Sequence, residues 1–119
     1  MTGTTTRLTA TDLTRADVEA LADFLHTRVH SVLAEHHVES DVWKAVLALR
    51  LVLEREAKAT REAFRRTDRC PETEQDRFRR WNRLATLALG WKDDEGFDER
   101  WKPVAHPTAE AAAVSAVLR

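Results

Sequence analysis

Leu13-Thr14-Arg15-Ala16-Asp17-Val18 is the stretch from which the fold is read. The Thr14 hydroxyl is placed to accept from free backbone N–H groups at a helix start, Asp17 stands at the third helical position, and Leu13 can staple onto Val18. The spacing predicts a helix from here to about Val38. Val18, Leu21, Ala22, Leu25, Val29, Val32, Leu33 and His36 fall on one stripe with a period of about 3.6 residues. Ser40 and Asp41 then resemble a second cap, and the helical period resumes through Val46, Leu49, Leu53, Ala57, Thr60 and Phe64 to about Thr67. Within that segment, residues 42–53 are apolar nearly all round. They read as the central element of the core, or as a helix lying between two partners.

Further along, Cys70-Pro71 interrupts the pattern, because proline biases the residue before it away from helix. Thr73 and Asp76 suggest a capped restart, and Phe78, Trp81, Leu84, Ala85 and Ala88 continue it to a stop at Gly90. Phe97 and Trp101, four residues apart, suit a short helical turn closed by Pro103. Strand alternation and internal repeats are absent. The predicted fold is an all-α bundle of three main helices with a short C-terminal helical turn, spanning 13–103. Residues 1–12 read as a flexible tail, and 104–119 as an Ala-rich tail, a frayed terminal helix with little to anchor it.

Composition agrees with this class. In 119 residues, 43% are apolar and only three are Gly and three Pro, too few for a turn-rich β fold. The length supports one modest core. A single cysteine, Cys70, cannot close an intramolecular disulfide, which implies a reducing, cytoplasmic setting. No secretory leader is visible, and every apolar run is far shorter than the ~18 residues of a membrane span. Neither export nor membrane association is expected.

Charge is more informative when resolved along the chain. The total is −1, yet residues 1–41 carry 3 basic and 7 acidic side chains while 55–83 carry 10 basic and 6 acidic. Arg61, Arg65, Arg77, Arg80 and Arg83 can form a basic face that neutralises nucleic-acid phosphates. The plainer reading is a solvated face paired with its own acidic neighbours, since 15 of the 19 basic residues are Arg, as the coding bias of a GC-rich genome produces, and arginine clusters then carry less meaning. Four of the five histidines lie between residues 26 and 37. Asp23, His26 and His30 share one flank of the first helix at metal-compatible spacing, although two or three ligands from one helix need a complement from elsewhere. Trp91, Phe97 and Trp101 surround an acidic turn. They read chiefly as a plug on the open end of the bundle, and alternatively as a partner-binding patch. No phosphate loop, nucleophile elbow or metalloprotease pattern is present, and Cys70 has no histidine near it in sequence. Neither a catalytic residue, a cofactor nor a small-molecule substrate is expected.

Residues 84–103, with Leu84-Ala85-Thr86-Leu87-Ala88-Leu89-Gly90-Trp91 followed by the acidic turn, Phe97 and Trp101-Lys102-Pro103, resemble the C-terminal signature of a family of small actinobacterial proteins of unknown function found on mobile elements. The chain departs from that family in having Glu95-Gly96 where His-Pro is the pattern, and in a longer spacing from Cys70-Pro71 to Leu84. The resemblance implies a small regulatory or accessory protein and no particular activity. The sequence thus leads to a non-enzymatic interaction module with a protein partner or self-association. Nucleic-acid binding through the arginines is the alternative, and a histidine-based metal site the third.

Overall fold

The computed structural model describes residues 13–103; the two expected tails, 1–12 and 104–119, lie outside the described residues. Helix α1 (Arg15–Glu35), α2 (Asp41–Arg65) and α3 (Pro71–Ala88) run up, down and up, and a 3-10 turn over Leu89–Trp91 follows. No strand occurs among the described residues. At the start of α1 the capping box is formed. The Asp17 amide donates to Thr14 Oγ1 at 3.3 Å and the Thr14 amide donates to Asp17 Oδ2 at 2.8 Å. Leu13 and Val18 are both buried in the core, as a staple requires.

Several boundaries differ from expectation for identifiable reasons. Helix α1 stops at Glu35, so His36 is its exposed C-cap and not part of the core stripe. The chain reverses there without a glycine, and Glu39 takes the left-handed conformation at φ 71°. Helix α2 ends at Arg65, two residues before the expected end. Helix α3 begins at Pro71, since proline is favoured in a first helical turn, where its missing N–H leaves no bond unmade. Thr73 is therefore inside the helix. Gly90 does not adopt a left-handed stop; the helix tightens into the 3-10 turn across it.

The core runs nearly the full length of α1 and α3 and along the second half of α2. Val18, Leu21, Leu25 and Val29 of α1 meet Leu53, Ala57 and Thr60 of α2 and Trp81, Leu84 and Ala85 of α3. Thr60 satisfies its buried hydroxyl by donating to Glu56 O at 2.7 Å, and it lies 3.4 Å from Arg80 O across the interface. That contact fixes the antiparallel register of α2 on α3. Counting outward from it, the end of α3 falls level with Val52. The preceding eleven residues of α2, 41–51, roughly 16 Å of helix, have no α3 beside them. Residues 42–53 are thus not the centre of the core: only Leu53 is buried, while Val42, Leu51 and Val52 are 49%, 58% and 51% exposed.

After the 3-10 turn, residues 92–103 come back along the bundle as consecutive turns, with Asp94, Phe97 and Trp101 amides bonded to the carbonyls three residues earlier. No helical turn forms around Phe97 and Trp101. The segment lies along the α1/α3 side, not over the open end. Phe97 and Trp101 stack on Phe24 of α1 with ring centroids 6.1 and 4.9 Å away, and Trp81 Nε1 of α3 donates to Lys102 O at 3.2 Å. Arg28–Asp94 and Arg100–Asp17 ion pairs, at 3.2 and 3.3 Å, flank this strap. Trp101 is 9% exposed, so Trp101→Ala should cost about 3–5 kcal/mol, a large part of the total for a domain of this size. A urea-unfolding midpoint equal to that of the wild type would show that the strap does not hold the fold.

Candidate functional site

Two surfaces merit attention: the uncovered first half of α2, and the arginine-rich end where α2 meets α3. At the first, Val42 is exposed beyond the reach of α3, Leu51 on the side of α2 turned away from its core stripe, and Val52 beside the last turns of α3. Between α1, α2 and the 3-10 turn an apolar groove of about 240 Å³ opens, walled by Val29, Leu49, Leu53, Leu87 and Trp91. The Cβ position at Gly90 has nothing within 4 Å, so the groove is open on that side. Large exposed apolar surface of this kind is unusual on a small protein unless something covers it. Trp91, half-buried at the groove, is the one member of the aromatic trio placed here. Phe97 and Trp101 belong to the strap, where they are half-buried and buried.

At the other end, most of the arginines serve the fold. Arg77 is buried, with 7% exposure. Its Nε donates to Ala63 O at 3.2 Å, Nη2 donates to Arg66 O and to Asp68 O, and Nη1 donates to Glu74 at 2.9 Å. One guanidinium thereby satisfies carbonyls left open at the end of α2 and in the loop after it. Arg61 donates from Nε to both oxygens of Glu19 on α1, at 3.0 and 2.9 Å. That bond holds the Glu19 carboxyl below its ordinary range. Arg80 lies 3.6 Å from Asp76, and Arg66 shares the same carboxylate at 3.6 Å. Arg65 and Arg83 are exposed and make no ion pair among the described residues, but they sit on different helices at different heights. The five arginines read from sequence as one basic face are therefore split between internal pairing and two separate exposed positions.

The histidine constellation is not completed. Asp23 and His30 are exposed and His26 is half-buried on α1, and among the described residues no three His, Cys, Asp or Glu side chains are placed to hold a metal ion. No other helix approaches that flank with a ligand. Cys70 is exposed, and its thiol donates to Asp68 Oδ2 at 3.0 Å, as the Thr73 hydroxyl also does. These two donors, the thiol first, lower the Asp68 carboxyl from its usual range. A thiol held as a donor to a carboxylate is poorly arranged for nucleophilic attack.

Two structural roles are not legible in the sequence. Phe24 stands off the main apolar stripe of α1 and is buried because the strap covers it. Arg77 follows the same spacing as solvated arginines, and no local signal marks it as buried. No described helix is long and apolar enough to cross a membrane. In comparison with known proteins, no family model, curated protein or solved structure matches the chain.

Arg77→Ala would strand the α2 carbonyls and leave Glu74 with Arg69 alone, at a cost of about 3 kcal/mol, whereas Arg83→Ala should change stability by less than about 0.5 kcal/mol. Paired denaturant titrations separate the two. Equal small effects would mean that Arg77 is not the tie between α2 and α3.

Proposed function

We propose that this chain is a non-enzymatic, cytoplasmic interaction module that works by burying the apolar first half of α2, with the groove beside Trp91, against another helix. The observation that carries the reading is that Val42, Leu51 and Val52 are about half exposed on a helix whose other half is packed in the core. Burial of apolar surface is the main driving force for helix association, at about 25 cal/mol per Å², and helix-in-groove docking uses surfaces of this form. The resemblance of residues 84–103 to a family of small actinobacterial proteins of unknown function, which implies a regulatory or accessory role, accords with a chain that acts by contact. The internal pairing of Arg61, Arg77 and Arg80 leaves only Arg65 and Arg83 of the five unpaired among the described residues, on different helices, which weighs against the nucleic-acid alternative.

A photo-crosslinking residue placed at Leu51 tests this directly, with the same residue at Arg79, exposed on α3, as the control. In cells of the source organism, covalent adducts should form from position 51 and not from 79. Adducts from neither position, or equally from both, would defeat the proposal.

A further inference from the structure

We infer that the occupant of this face is a second copy of the chain, packed α2 against α2 in antiparallel fashion about a two-fold axis at Ala48; the inference rests on the reading of α2 as an interaction surface. Asp41, Ala45, Ala48, Val52 and Arg55 succeed one another at intervals of four, three, four and three residues, the spacing of a helix-pairing seam. All five are exposed, and they form a second stripe beside the core stripe of Val46, Leu49, Leu53, Ala57 and Thr60.

The pattern of charge within the stripe selects the partner and its direction. The centre is uncharged and small. One end is Asp41, the other Arg55, and neither has an ion pair among the described residues. A parallel, in-register pair of such helices sets Asp41 on Asp41 and Arg55 on Arg55. An antiparallel pair turned about Ala48 instead sets each Asp41 opposite the second copy's Arg55 and each Val52 beside the second copy's Ala45. Ala48 then meets Ala48 at the crossing, where small side chains allow close approach of the two helices. The same patch serves both copies, so the contact closes as a dimer and does not propagate. Because α3 ends level with Val52, it meets the incoming helix only at its last turn.

Sedimentation equilibrium on the full chain should give twice 13.6 kDa. Asp41→Arg and Arg55→Asp, each at a solvated position, should weaken the dimer at least about tenfold, because like charges then face each other at two symmetric contacts. The double variant should restore it. In a Cys70→Ser background, Ala48→Cys should oxidise to a covalent dimer and Arg79→Cys should not. A chain that stays monomeric at hundreds of micromolar, or a dimer insensitive to both single swaps, overturns the inference. A monomeric chain whose position-51 adduct is a different protein removes this inference and leaves the interaction module standing. Absence of any adduct removes both.

Discussion

The rest of the structure depends on the register of α3 against α2. It is set at one end by Arg77, whose guanidinium ties the carbonyls of Ala63, Arg66 and Asp68 to the first turns of α3, and in the middle by Thr60 beside Arg80 O. Counted from Thr60 beside Arg80, α3 begins about four residues past the end of α2 at the lower end and stops about eleven residues short of the start of α2 at the upper end. The consequence is the feature on which the functional reading rests: an apolar length of α2 that α3 does not cover, with Trp43, Val46, Leu47 and Leu49 only half-buried against the core. Had the offset fallen at the lower end, the charged turns around Arg61 and Arg65 would project instead, with no apolar surface to bury.

The strap of residues 92–103 solves a different problem. Three helices leave the α1/α3 side open, and Phe24 would stand in solvent there without Phe97 and Trp101 against it. The aromatic cluster closes that side, and the ion pairs Arg28–Asp94 and Arg100–Asp17 fix the strap's direction more than its stability, since exposed pairs contribute little. The near-zero net charge is likewise resolved within the fold. Glu19 of the acidic first helix receives Arg61 of the basic middle, so much of the polarity seen along the sequence is internal pairing.

How much was legible in the sequence follows from what local pattern can encode. Thr14 and Asp17 specify a helix start through atoms three residues apart, and that start was read correctly. Three helices and their core stripes follow from periodicity in the same way. The placement of residues 42–53 does not, because periodicity reports that a face is apolar and not what lies opposite it. Only the length of α3 decides that. The burial of Phe24 and that of Arg77, read as part of an exposed basic face, are illegible for the same reason: their partners are 73 or more and up to 14 residues away, respectively, on segments whose docking no local spacing records. The exposed seam from Asp41 to Arg55 was visible as a spacing but gained meaning only once the core stripe beside it was assigned.

The most direct measurement is an isotope-filtered NOE experiment on a mixture of labelled and unlabelled full chain. Contacts between copies should arise from the methyl groups of Val52 to those of Ala45 and Ala48, with none from the strap. Intermolecular contacts centred on Phe97 or Trp101, or none at millimolar concentration, would contradict the assignment of α2 as the surface that another copy covers.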